Sequence, residues 1–269
     1  MSPINRRQFL RHRLPLLALA GSAALTMAAC TPNEIEKSAA IQWRMRTSWQ
    51  KDMAGLFEAA QRLAKRINHS CAGRLKVSVQ AAESSEKAFG VFDEVAAERC
   101  EMAHTSAQFW AGKSLATTFF SSLPFGMTAG QSTSWLLAGE GWALWPELYA
   151  KFGLTPFPVG NTNAQIAGWF TQELKSLRGV KGLKLRVTAL MTARNQQALL
   201  TLVGVHKINV VRLPTDVITA LSRSSEAVRS DLAARDQFAR RVFDSAMAFR
   251  EQARQWQQVG DQAFVTARG

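Results

Sequence analysis

Cysteine is scarce in this chain, with three among 269 residues, so disulfides cannot staple a small fold and stability must come from a buried core. With 47% of residues apolar and 20% charged, that core is available and a disordered chain is excluded. A single tyrosine accompanies fifteen Phe and eight Trp, which suits an aromatic-rich interior or cleft. Acid is also short: 33 basic against 20 acidic side chains give a net charge of +13. His12, His69, His104 and His206 show no metal-ligand spacing. No run of five Lys or Arg marks a nucleic-acid surface. Neither a GxSxG elbow nor a Ser/His/acid set is present, and Gly160-Asn161-Thr162-Asn163 lacks the spacing of a dinucleotide or phosphate loop. These absences disfavour an enzyme, and the length fits one large domain or two modest ones.

The first thirty residues are read as an export signal. Arg6, Arg7, Arg11 and Arg13 precede an apolar run from Leu14 to Leu25, about half of what a bilayer span needs. Asn5-Arg6-Arg7-Gln8-Phe9-Leu10-Arg11 resembles a twin-arginine signal with Asn in place of the usual Ser or Thr; the general secretory route is the alternative. Met27-Ala28-Ala29-Cys30 resembles a lipobox, so Cys30 is expected to carry acyl chains and tether the protein, against plain cleavage after small residues. Removing the signal takes away four arginines and no acid, leaving 29 basic and 20 acidic residues. A basic envelope protein suits anionic solutes or an anionic membrane surface.

Residues 31–40 read as a polar tether. Beyond them, strand and helix patterns alternate: a strand over Ile41–Thr47, a helix over Asp52–Asn68, a strand over Leu75–Val79, a helix over Ser85–Arg99 and a strand over Glu101–Thr105. This βαβαβ order predicts an α/β fold with a parallel sheet. Such sheets bind ligands at the carboxyl ends of their strands, here Ser48-Trp49 and Ser106 to Lys113. Gln131–Phe152 has a helical rhythm interrupted by Gly139 and Gly141, and 155–170 is strand-like. Strands are expected over Leu183–Val187 and Ile208–Val211, and helices over Thr192–Val203 and Pro214–Leu221. Cys71 and Cys100 pair only if their loops bring the Cα atoms within about 7 Å.

Gln165, Trp169 and Arg186 form the informative group. An arginine at the end of a strand pattern offers a planar fork to a carboxylate; on residues alone, a surface ion pair for Arg186 and a core position for Trp169 are the competing readings.

The stretches WRMRTSW, EMAHTSAQFWAGK, LPFGM, WLLAGEGWALWPELYAKFGL, FPVGNTNAQIAGWF and GVKGLKLRV resemble, in order, landmarks of the solute-binding subunit of tripartite ATP-independent periplasmic (TRAP) transporters, most closely the branch that binds 2-oxo acids and related carboxylates. The likeness runs from Ile41 to Arg223 and resumes over Asp236–Ala267, where FARRVFDSAMAFREQARQW resembles the family's terminal helix. The resemblance implies a periplasmic two-lobe binding protein, not an enzyme, that captures a small organic anion and delivers it to TRAP membrane subunits. It implies no cofactor beyond sodium or another cation bound with the ligand. Arg186 matches the carboxylate clamp and Gln165 the residue that holds ligand and cation. Phe109 and Trp110 stand where tyrosines are usual, keeping the aromatic wall without the hydroxyl. Trp49 and Trp169 complete the cleft, and Asn163 replaces a usual glycine.

After Arg223 the resemblance breaks, and on the order of a hundred residues of the family pattern are missing, most of a domain's worth. The expected organisation is therefore signal 1–30, tether 31–40, a complete first lobe over 41–160, a truncated second lobe over 161–223 and a C-terminal helical segment over 224–269. Losing part of the ligand shell predicts weak or absent binding. The competing class is a partner-binding envelope lipoprotein, or an inactive remnant, that kept the scaffold without solute capture.

Overall fold

The computed structural model describes residues 40–53, 55–121, 123–162, 173–180 and 200–268. The signal, Cys30 and the expected strand over Leu183–Val187 lie outside the described residues.

Strand β1 (Ile41–Thr47) begins and ends where its alternation predicts. It lies at the centre of a three-stranded sheet of order β2-β1-β3, flanked in parallel by β2 (Leu75–Gln80) and β3 (Met102–His104). Ile41 pairs with Leu75 on one side and Thr47 with His104 on the other. Helix α1 (Leu56–Ser70) covers one face, burying Ala60 and Ala64 against Met45 and Val77. It starts four residues later than expected because Gly55 holds φ 86°, outside helical space. Met102 joins this cluster while Ala103 packs against the second one, as neighbours on a strand face opposite ways.

The helix expected over Ser85–Arg99 divides into α2 (Ser85–Ala88) and α3 (Val91–Ala96). The break falls at Phe89-Gly90, where glycine's backbone entropy makes a helix interior weak. After β3 come two 3₁₀ turns, Ala107–Trp110 and Leu115–Phe120. Helix α4 (Ala129–Ala138) opens with a Thr128/Gln131 capping box, and α5 (Gly141–Ala150) follows. The turn between them needs Gly141, whose added Cβ would lie 2.8 Å from Trp135 Cδ2.

The C-terminal part is helical. Helix α6 spans Thr215–Ala234, well past the expected end at Leu221, since no Gly or Pro interrupts it; the boundary drawn after Arg223 falls inside it. Asp236 caps α7 (Gln237–Val259), its carboxylate accepting from Ala239 N–H at 2.6 Å, and α8 (Asp261–Arg268) ends the chain. Ala239, Val242 and Ala246 of α7 complete the larger core with Phe119, Phe120, Trp135, Leu144 and Leu148. Ile208–Val211 forms no strand, and neither do residues 155–162. A strand pattern needs a ladder partner, none pairs with Ile208–Val211 among the described residues, and Val210 and Val211 are exposed. Cys71 and Cys100 are free thiols.

Candidate functional site at the carboxyl edge of the sheet

In a 2-1-3 parallel sheet the chain leaves β1 toward one neighbour and then crosses to the other. Ligands favour the carboxyl edge at such a reversal. Loops after all three strands converge there. The backbone N–H of Ser48 donates to His104 O at 3.1 Å, extending the β1–β3 ladder, and Ala82 N–H donates to Trp49 O at 2.9 Å. The Ser48 hydroxyl donates to Ala88 O at 2.8 Å and lies 2.6 Å from Thr105 Oγ1, so the Thr105 hydroxyl is the donor of that pair. Thr47 Oγ1 donates to Trp49 O at 2.9 Å, closing the turn.

The indole N–H of Trp49 donates to His104 Nδ1 at 2.7 Å, with both side chains buried. An accepting Nδ1 carries no proton, so His104 is the neutral tautomer with hydrogen on Nε2. Burial pushes the imidazole below its ordinary pKa, partly opposed by a backbone hydrogen bond, which keeps that tautomer at neutral pH. Sequence spacing showed no role for His104, because its partner lies 55 positions away. The parallel register Thr47–His104 is the signal that joins them.

Among the expected site residues, Trp49 and Phe109 meet edge-on with ring centroids 5.9 Å apart. Phe109 in turn meets the exposed Phe89 at 5.2 Å and 90°. Trp110 is 3% exposed and belongs to the core, packed on Phe92 at 5.0 Å; it supports the wall from behind rather than lining it, and its indole N–H has no acceptor among the described residues. Gln165, Trp169 and Arg186 lie outside the described residues. Among the described residues, no group of three or more His, Cys, Asp and Glu could hold a metal ion.

Residues 47–221 match the family model described as bacterial extracellular solute-binding protein, family 7. The chain belongs to that family. Its members bind substrates for transport, and the match ends within α6, two residues before the point where the resemblance breaks. The monocarboxylate 2-oxoacid-binding periplasmic protein of Nostoc sp. (strain PCC 7120) is 38% identical over 177 residues, which are 64% of this chain and 48% of that one. This family 7 chain thus spans about half the length of that relative. The TRAP solute-binding protein of Pseudoalteromonas atlantica T6c, solved with sodium and pyruvate, shares the fold with TM-score 0.76 at 21% identity, covering 84% of this chain and 99% of that one. One from Bordetella bronchiseptica RB50, with copurified calcium and picolinate, gives TM-score 0.78 at 18% identity, covering 85% and 97%.

Proposed function

We propose that this family 7 protein captures a small carboxylate of the 2-oxo acid type in the periplasm and presents it to TRAP membrane subunits, without covalent chemistry. The observation that carries the reading is the convergence of the loops after β1 and β3 at the sheet's reversal, locked by Ser48–Thr105 and Trp49–His104. In this reading Arg186 pairs with the ligand carboxylate through two parallel N–H···O bonds. Gln165 bonds the carbonyl side or a cation, which would add positive charge beside the carboxylate. Phe109, Trp49 and Trp169 shape the cleft, with Trp110 behind them. Residues 41–160 serve as the first lobe and 161–223 contribute a shortened second one, with α6 running across the boundary at 223 into the helical segment 224–269. Closure is driven only by contacts that the ligand makes with both lobes. An acylated Cys30 would keep the protein at the membrane surface where its partners lie.

Calorimetric titration with pyruvate, with and without sodium, tests the reading. The expected result is saturable binding, weaker than a full ligand shell would give, and lost in Arg186→Ala. The partner-binding alternative draws on the exposed apolar side chains of Leu200, Val205, Val210 and Val211. Absence of heat with any carboxylate, together with a stable oligomer in solution, would favour it.

A further inference from the structure

Phe89 is 54% exposed, although a phenyl ring gains by burial. It sits in the break between α2 and α3, directly after Ala88, whose carbonyl accepts from Ser48 Oγ at 2.8 Å. That bond fixes Phe89 against the loop leaving β1. Its ring begins a row: Phe89 meets Phe109 edge-on at 5.2 Å, and Phe109 meets Trp49 at 5.9 Å and 61°. The row runs from solvent to the buried end of the central strand. Several polar groups beside it already have partners. The Trp49 indole N–H is bound to His104 Nδ1, and the Ser48 and Thr105 hydroxyls bind each other and Ala88 O. Ser121 Oγ accepts from Gln108 N–H at 2.9 Å.

We propose that Phe89 and Phe109 form a subsite for an apolar, preferably aromatic, ligand tail, so that this protein selects 2-oxo acids with bulky apolar side chains over pyruvate. The proposal rests on the carboxylate-capture reading above and deepens it. A methyl group covers little of the Phe89 face, whereas a phenyl tail buries the exposed ring and joins the edge-to-face row. The Ser48 and Thr105 hydroxyls and the Trp49 indole N–H are already bonded, so a polar tail gains nothing from them and loses its hydration.

The test is calorimetric titration of the purified protein with phenylpyruvate, 4-methyl-2-oxopentanoate, pyruvate and 2-oxoglutarate, repeated on Phe89→Ala and Phe89→Leu. Phenylpyruvate is expected to bind at least tenfold tighter than pyruvate, and 2-oxoglutarate weakest of the four. Phe89→Ala should weaken phenylpyruvate at least fivefold while leaving pyruvate within twofold, with Phe89→Leu between. Because the ring is exposed, the variants should keep the parent's melting temperature. Pyruvate binding as tightly as phenylpyruvate would overturn the subsite and leave carboxylate capture standing. Equal weakening of both acids by Phe89→Ala would overturn it too, since Phe89 would then touch the closing lobe instead of the tail. Absence of binding by all four acids would overturn the carboxylate reading and the subsite with it.

Discussion

Two buried polar side chains, His104 at the carboxyl edge and Arg229 in α6, behave oppositely. His104 is satisfied at Nδ1 by Trp49, so Trp49→Phe leaves a buried acceptor unpaired and should cost about 1–3 kcal/mol in urea unfolding. The same pair sets a pH dependence. The folded imidazole titrates below its ordinary value, so between the two values the unfolded chain binds the extra proton and folding opposes protonation. This contribution should be level above pH ~6.5 and fall as pH drops from there toward the lower folded value. Denaturation midpoints at pH 7.5, 6.5 and 5.5 check this, and His104→Gln should remove that component. Arg229 is the counterexample. It is 5% exposed, spends one N–H on Pro124 O at 2.6 Å and leaves Nε without a partner among the described residues. Burial and the nearby Arg250 both lower its pKa, and Glu226 opposes them only in part. Ser225 Oγ also donates to Pro124 O at 2.7 Å, so that carbonyl stays satisfied in Arg229→Met. Removing a buried charge that Glu226 offsets only in part should raise the melting temperature, by an amount equivalent to about 1 kcal/mol.

At the scale of elements, glycine governs both the breaks and their reach. Gly141→Ala drives a Cβ to within 2.8 Å of Trp135, whose indole is stacked on Phe120 at 5.5 Å. It should cost about 1–3 kcal/mol, whereas Gly112→Ala, with nothing within 4 Å, should be near neutral in the same melting experiment. These glycines also explain what could be read in advance. The limits of β1 were legible residue for residue, because apolar and polar residues alternate along it as they do on a strand with one covered face. The start of α1 and the split between α2 and α3 were not, since Gly55 and Gly90 follow the apolar rhythm closely enough to be read through. Ile208–Val211 has the pattern of a strand and no ladder among the described residues, a property of partners and not of its own residues. The continuous α6 escaped because the family likeness stops inside it, while its own composition carries helix onward. In the candidate site, Trp49 and Phe109 were legible from strand ends, but the Trp49–His104 bond required the parallel register.

At the scale of the whole molecule, α7 closes the larger core. Val242 is fully buried with Ala239 and Ala246 beside Phe119 and Trp135. The Trp135 indole N–H donates to Ser245 Oγ at 3.1 Å, across 110 positions of sequence. A chain ending at Arg235 should therefore lose cooperative unfolding and elute as aggregate in size-exclusion chromatography. Val242→Asp, which buries an unpaired charge, should do much the same. The requirement for α7 also sets a timetable for the nascent chain. At synthesis rates of roughly 5–20 residues per second, Trp135 leaves the ribosome roughly 5–20 s before the helix that covers it. During that interval the aromatic core has no lid. An export route that threads unfolded chains has those seconds in which to take hold of it, whereas one that accepts only folded cargo must wait for the last helix and shield the exposed rings meanwhile.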